Sequence, residues 1–432
     1  MSQRPHVVIV GGGFAGIHAA RGLKKAAVDI TLLDRTNHYL FQPLLYQVAT
    51  AMLAPSDITV PIRFLLRKQK NTRVLMAQVD RIVPEEKKVI ASDGSMELTY
   101  DYLILATGAR HSYFGNDDWE LNAPGLKSLE DALEIRRRFL LAFEHAETCA
   151  TNEELRELQT FVVVGGGPTG VELAGMLPSV AMDAIREDFR RVNTRETRVI
   201  LLEGGPRILP TFPESLGTRA AEDLRKLGVD VRTGALVTRI EDDAVYVGDE
   251  RIGTRNVYWA AGNAASPLAR SLGVELDRAG RVLVNPDLTV PDHPEIFVVG
   301  DLAAARNKAG SPVPGVAPAA MQGGDSVARN IRRLLDGKPT APFKYLNKGD
   351  LATIGRHKAV AKLGSFQFGG YLAWVIWLFV HLMYLVGFRN RVSVLIQWAY
   401  AYFTYERGVR LITGAVGTHL QRSREPVGTS SA

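Results

Sequence analysis

Two glycine clusters in this chain have the spacing at which a backbone, rather than side chains, can hold a phosphate. The first is Gly11-x-Gly13-x-x-Gly16, with Phe14 and Ala15 inside it; the second is Gly165-x-Gly167-x-x-Gly170, with Pro168 and Thr169 inside it. Such a loop gives a tight turn, brings backbone amides close to a pyrophosphate and aims a helix N-terminus at it. An acid that can accept from a ribose hydroxyl follows each cluster: Asp34, next to Arg35, and Glu203. Cys149 is the single cysteine. It excludes an internal disulfide, a CxxC redox pair and a cysteine-based zinc or iron–sulfur centre, and it fits a reducing compartment. No His, Asp or Glu grouping has metal-ligand spacing, so no metal is expected.

These residues need strands and helices to aim them, and the surrounding pattern supplies both. Apolar Val7–Val10 leads into the first cluster, a helical run covers Ile17–Lys25, and Asp29–Leu33 ends at Asp34. The arrangement recurs: Phe161–Val164, a helix opening at Val171, and Arg198–Leu202 ending at Glu203. The gap from Gly170 to Glu203 exceeds the usual spacing of about 20 residues; a longer helix through Asp188 and a loop near Asn193 would absorb it. Three more strands end in small residues: Tyr102–Leu105 in Ala106-Thr107-Gly108, Val257–Trp259 in Ala260-Ala261-Gly262, and Ile296–Val299 in Gly300-Asp301. Two complete fingerprints imply two different dinucleotides held face to face. The fold class is α/β: two Rossmann-like dinucleotide-binding domains plus a C-terminal helical region. At 432 residues, with 46% hydrophobic and 23% charged, the chain has the size of two or three globular domains. Met1–Pro5 runs straight into the first strand with no secretory signal, which points to the cytosol or the cytosolic face of a membrane.

The tail differs from the body. The last 97 residues carry 12 Lys and Arg against four Asp and Glu, while the rest of the chain is slightly acidic. A basic tail suits an anionic surface, membrane or nucleic acid. Tyr371–Phe388 is 18 residues without a charge, at the lower edge of a spanning helix, and Arg389-Asn390-Arg391 follows it. Leu395, Trp398, Tyr402, Tyr405, Val409 and Ile412 fall on one helical face, accompanied by Arg407 and Arg410. Aromatic-plus-basic helices of this kind lie in the membrane interface. Nucleic acid is disfavoured because the basic residues are interleaved with a long apolar run.

Over residues 5–330 the motifs resemble the two-dinucleotide-binding-domain flavoproteins. The resemblance implies an FAD domain at 1–115 and 275–335, interrupted by an NADH domain at 155–270, with a linking helix at 116–154 and a membrane-associated region at 336–432. FAD would be held by Gly11, Gly13, Phe14, Ala15, Gly16, Asp34, Arg35, Gln47, Ala106, Thr107, Gly108, Gly300 and Asp301. NADH would be held by Gly165, Gly167, Pro168, Thr169, Gly170, Glu172, Glu203, Ala261 and Gly262. A carboxylate at Glu203 favours NADH over NADPH, because it repels a 2′-phosphate; Arg207, close in sequence, softens that preference. With Cys149 alone the flavin cannot pass electrons through a cysteine pair, and sulfide–quinone reductases are disfavoured for the same reason.

The segments Leu44–Ala49, Gly170–Gly175, Lys348–Arg356 and Val386–Arg391 are similar to type II NADH dehydrogenases, the single-subunit NADH:quinone oxidoreductases. This resemblance extends to about Ile412. It implies a non-pumping enzyme of the respiratory chain that lies on the cytoplasmic face of the cell membrane through its tail helices, with a quinone from the bilayer as acceptor. Lying on the membrane ranks above a true span. Glu172 would handle a proton or tune the charge between nicotinamide and flavin. The family's quinone motif reads Ala-Gln-x-x-x-Gln; here Pro318 stands at the first glutamine and Gln322 matches the second. His381, a lone histidine in an aromatic-rich run, reads as packing before function. The oligomeric state is not fixed, and a homodimer stays open. A reductase of a soluble acceptor such as ferredoxin and a membrane-attached NADH-sensing flavoprotein are the competing expectations.

Overall fold

The computed structural model describes residues 4–404 and 409–413. The chain packs into two compact units, each assembled from three segments: residues 1–41, 59–112 and 263–349 form the first, and 42–58, 113–262 and 350–432 the second.

The first unit is built on a six-stranded sheet in the order Thr289–Val290, His293–Val298, Tyr102–Leu105, His6–Val10, Asp29–Asp34, Thr72–Met76. All neighbours are parallel except the first pair. The central strands are apolar through their middle because helices cover the sheet, as parallel sheets require; Val7, Val8, Ile9, Leu103, Ile104 and Leu105 are fully enclosed. Helix Phe14–Gly22 connects the first two strands. Helix Ala317–Leu335 lies against it so closely that a Cβ on Gly324 would stand 2.2 Å from the Ala15 carbonyl oxygen. The expected start of the first helix at Ile17 moves to Phe14, because the helix begins inside the glycine turn.

The second unit repeats the plan with four parallel strands in the order Val229–Thr233, Arg198–Glu203, Thr160–Val164, Asn256–Trp259. The helix after the second glycine cluster is α-helical only over Pro168–Ser179 and continues as one π-helical stretch, Val180–Ala184. It therefore does not run through Asp188; turns and a short 3₁₀ segment, Thr194–Glu196, capped by the Asn193 side chain, absorb the extra length. Helix Leu129–Thr148 opens on a capping box between Ser128 and Asp131.

In the same unit the C-terminal part is an antiparallel sheet, Asp350–Ile354, Lys358–Leu363 and Phe366–Gly370, followed by helices Tyr371–Tyr384 and Phe388–Thr404. The 18-residue charge-free run is thus not one helix. Leu385 leaves the helix in extended backbone and Gly387 turns the chain at φ 95°. The 14 helical residues span about 21 Å, against about 30 Å of hydrocarbon in a bilayer. Among the described residues no helix is long and apolar enough to cross a membrane.

The expected face of the second helix is also corrected. Its buried line is Asn390, Val394, Trp398 and Ala401, whereas Leu395 and Tyr402 are exposed. Val409 and Ile412 lie beyond its end, and Tyr405 and Arg407 fall outside the described residues. Both sides of this helix are apolar, so hydrophobic spacing alone could not say which side faces in. Arg410, expected at a lipid surface, instead donates to the Ala184 carbonyl and the Asp188 carboxylate.

Candidate functional site: two glycine cradles and an enclosed carboxyl

The two glycine clusters fold into the same backbone cradle. Gly11 has φ 105° and Gly165 φ 110°, a left-handed region that glycine alone enters freely. Gly11 N donates to the Leu33 carbonyl at 2.8 Å, and Gly165 N to the Leu202 carbonyl at 2.7 Å. Gly12 N donates to Asp34 Oδ2, and Gly166 N to Glu203 Oε2, both at 2.6 Å. A Cβ on Gly16 would stand 1.8 Å from the Gly11 carbonyl oxygen, and one on Gly170 the same distance from that of Gly165. The middle glycines, Gly13 and Gly167, face open space, with nothing within 4 Å of a built Cβ. Neither following helix has a side-chain cap or an acid in its first turn, so the terminal amides are left for an anion.

The first cradle fits a dinucleotide on more than its glycines. Ala106 N donates to the Val10 carbonyl, which holds the Ala106-Thr107-Gly108 turn at the end of the neighbouring strand. Thr107 Oγ1 is buried without a protein partner, which calls for an outside group. Phe14 is held edge-on by Tyr39 and Phe41, Asp34 takes Thr36 on its second oxygen, and Arg35 is exposed. Gly300 turns at φ 70°, and Asp301 lines a cavity of about 200 Å³ with Gly315, Ala319 and Ala320. In the second cradle Glu203 also accepts from Gly205 N, and Ala260 N repeats the Ala106 bond ahead of Ala261 and Gly262. Pro168 and Thr169 are exposed at the helix start, where proline costs no hydrogen bond.

Glu172 stands two residues past the second cradle. Its side chain keeps a little surface of its own, yet protein surrounds it, and burial pushes its carboxyl up to about 8. Two donors oppose that rise. Thr353 N lies 3.4 Å from Glu172 Oε1. The Trp377 indole N–H, buried without a hydrogen bond of its own, is near enough to favour the charged form. The strand that brings Thr353 packs tightly on the Glu172 helix, leaving 2.8 Å between a built Gly175 Cβ and Gly355 N.

A chain of polar contacts runs on from Thr353. Its hydroxyl pairs with Tyr46 OH at 3.1 Å, Gln47 donates to Tyr46 OH at 3.0 Å, and the Trp398 indole donates to Gln47 Oε1 at 2.7 Å. Gln47 thus has both ends of its amide engaged. Asp57 accepts from Ser393 and Gln397, pinning helix Phe388–Thr404 to the segment that carries Tyr46. His381 stacks on Trp377 at 4.1 Å and bonds the Trp377 carbonyl through Nδ1. Burial lowers His381 to about 4, so it is neutral at pH 7.

In the first unit, Pro318 occupies the opening turn of its helix, and Gln322 forms a reciprocal pair with the Leu346 backbone at 2.9 and 3.0 Å. Cys149 is buried and bonds the Ala146 carbonyl. Sequence reasoning reached Glu172 but gave no role to Thr353 or Tyr46, and it counted Trp377 among the tail aromatics that favour a membrane interface, whereas Trp377 is buried. Tyr46 and Thr353 lie in segments that carried the resemblance, whereas nothing in the spacing of Trp377 marks it out from its apolar run.

Residues 5–324 match the model of the pyridine nucleotide-disulphide oxidoreductase family, and residues 347–405 match the NDH2 C-terminal domain. The chain is 46% identical over 425 residues to the type II NADH:quinone oxidoreductase Ndh of Mycobacterium tuberculosis, covering 95% of this chain and 91% of that one. It is 45% identical to NdhA of the same organism, covering 95% and 90%. Its fold is that of NDH2 from Plasmodium falciparum, solved in complex with NADH, at a TM-score of 0.86 and 20% identity, covering 95% of this chain and all of that one. The sulfide:quinone oxidoreductase of Aquifex aeolicus has the same fold at a TM-score of 0.71 and 21% identity, covering 92% and 95%. Two matched cradles, an enclosed carboxyl beside the second and this degree of likeness together place the chain in the type II NADH:quinone oxidoreductase family.

Proposed function

We propose that this protein oxidises NADH and reduces a membrane quinone. The observation that carries the reading is an enclosed carboxyl, Glu172, whose burial favours its neutral form, set two residues past a complete dinucleotide cradle. FAD, bound at Gly11–Gly16, Asp34, Ala106–Gly108 and Gly300-Asp301, supplies the two-electron carrier between NADH and quinone. Gly165–Gly170 and Glu203 bind NADH, and Glu203 prefers a free ribose 2′-hydroxyl to a phosphate. Glu172 holds a proton on its carboxyl at neutral pH and offers it where quinone reduction consumes one. Gln322, its amide anchored on the Leu346 backbone, borders the quinone, with Pro318 shaping the start of its helix.

Residues 1–115 and 275–335 serve FAD and 155–270 serve NADH, with 116–154 as linker and 336–432 as the membrane-associated part. The exposed apolar residues Leu372, Val375, Phe379 and Met383 on one helix, and Ile396, Tyr400 and Phe403 on the other, lie on the cytoplasmic face of the bilayer. The test is NADH oxidation by the purified, FAD-loaded protein with and without a short-chain quinone, repeated with NADPH. Quinone-dependent oxidation that prefers NADH supports the reading; oxidation indifferent to quinone contradicts it.

A further inference from the structure

Glu203 is aimed by a loop that Arg207 closes. One carboxylate oxygen accepts from Gly166 N and the other from Gly205 N, both at 2.6 Å. From Gly205 the chain runs to Phe212 before helix Glu214–Lys226 begins. Backbone carbonyls of that run accept from a single guanidinium. Arg207 donates through Nη1 to Phe212 at 2.8 Å and to Leu209 at 3.4 Å, and through Nη2 to Pro210 at 2.8 Å. Leu209, which is buried, takes φ 50°, a left-handed conformation that a residue with a Cβ adopts only at a cost. Such strain persists where the surroundings hold it. Here it is held by the Arg207 fork and by the bond from Leu209 N to the Gly166 carbonyl at 2.7 Å. Gly166 is thus gripped at both ends, its N–H by Glu203 and its carbonyl by Leu209. A Cβ on Gly166 would stand 2.8 Å from Ile208 Cγ2 and 2.9 Å from Glu203 Oε2, so loop and carboxylate close on the same glycine.

Spacing in the sequence suggests that Arg207 softens the preference for NADH by attracting a 2′-phosphate. Its hydrogen bonds argue the opposite. A planar guanidinium whose Nη atoms serve carbonyls is committed to the loop. Turning it toward a phosphate would release the carbonyls of Leu209, Pro210 and Phe212 together. We propose that Arg207 is a positioning residue for nucleotide choice: by folding residues 207–212 onto Gly166 it fixes the Glu203 carboxylate and so sharpens the selection of NADH over NADPH. The ribose is met by Glu203, and Arg207 acts through the backbone that aims it. A carboxylate held at both oxygens keeps its negative charge at one place, where it accepts from a 2′-hydroxyl and repels a 2′-phosphate. A loosened loop lets the carboxylate swing away, which weakens the attraction for NADH and the repulsion of NADPH at once.

The proposal rests on the reading of Glu203 as the acceptor of the ribose 2′-hydroxyl, and its test keeps the two apart. The FAD-loaded protein, without quinone and without oxygen, is mixed with NADH or NADPH, and the second-order rate constants of flavin bleaching are compared as an NADH:NADPH ratio. Glu203→Gln should lower that ratio; an unchanged ratio contradicts the reading, and the proposal falls with it. Arg207→Met keeps the length of the side chain and removes the fork. It should lower the ratio by about tenfold, the scale of one misdirected hydrogen bond to a charged group, at unchanged FAD content. Arg207→Lys, a milder change that keeps the charge and loses the planar fork, should move the ratio the same way by less. In the double variant Glu203→Gln with Arg207→Met, the ratio should equal that of Glu203→Gln alone, because Arg207 acts through Glu203. A ratio that rises in Arg207→Met marks Arg207 as a partner of the 2′-phosphate and overturns the proposal. A lower thermal midpoint with an unchanged ratio, where Glu203→Gln does change it, marks a role in stability alone and overturns the proposal too. So does a fall of equal size with and without Glu203.

Discussion

The two cradles share their backbone and differ in the side chains just beyond it. Two residues past the last glycine of the first stands His18, partly exposed and 3.1 Å from Asp325 Oδ1 on the helix that packs over it. At the same step past the second stands Glu172, enclosed under a strand that offers it an amide. Each cradle is covered by an element that a glycine admits at close range, Gly324 against Ala15 in one case and Gly175 against Gly355 in the other. The backbone cradle is therefore a property of the loop and is copied. The burial of a titratable side chain is a property of the covering element and is not.

The largest effects should come from breaking the cradles one at a time. Gly16→Ala and Gly170→Ala each place a methyl 1.8 Å from a carbonyl oxygen. Gly16→Ala should yield protein without flavin absorbance. Gly170→Ala should keep its flavin but lose NADH affinity by more than about 100-fold, near 2.7 kcal/mol. Loss of flavin in both would show that the cradles are not independent.

The matched pair His18→Gln and Glu172→Gln sharpens the comparison further. Positioned proton donors contribute about 10²- to 10⁴-fold, so Glu172→Gln should slow quinone-dependent turnover by about 100-fold at unchanged FAD content. The exposed His18–Asp325 pair is worth at most about 1 kcal/mol, and His18→Gln should stay within about threefold of the wild type. Equal effects would erase the distinction between the two helices.

The same carboxyl should leave a mark on stability. The Glu172 midpoint rises from 4.5 in a free side chain to about 8 in the fold, so folding takes up a proton between those values. The stability associated with Glu172 is whole below pH 4.5 and is lost as pH rises through 8. Thermal midpoints of Glu172→Gln relative to the wild type should therefore climb between about pH 5 and pH 8. Tyr46→Phe should act least. It removes the hydroxyl that accepts from Gln47 and pairs with Thr353, at about 1–2 kcal/mol, read as a thermal midpoint lower by about 2–4 °C.

The cradles were legible in the sequence because their chemistry is local. Glycine spacing, a strand before and an acid after are all within one βαβ unit, and the positive φ of Gly11 and Gly165 accords with that pattern. The surroundings of Glu172 were not legible, since Thr353 and Trp377 arrive from about 180 and 205 positions downstream. The tail misled in a different way. A charge-free run reads as one helix until Gly387 breaks it, and a helix apolar on both sides gives no periodic signal for its inner face. The single cysteine, Cys149, is enclosed at the C-cap of helix Leu129–Thr148 and bonds the Ala146 carbonyl.

The most direct test of the account is the pH profile of quinone-dependent NADH oxidation, measured on the wild type and Glu172→Gln at matched FAD content. Wild-type turnover should be high at neutral pH and fall as pH passes about 8, where Glu172 loses its proton, while the variant should be slow and flat across that range. Equal rates and the same pH dependence in both proteins would contradict it.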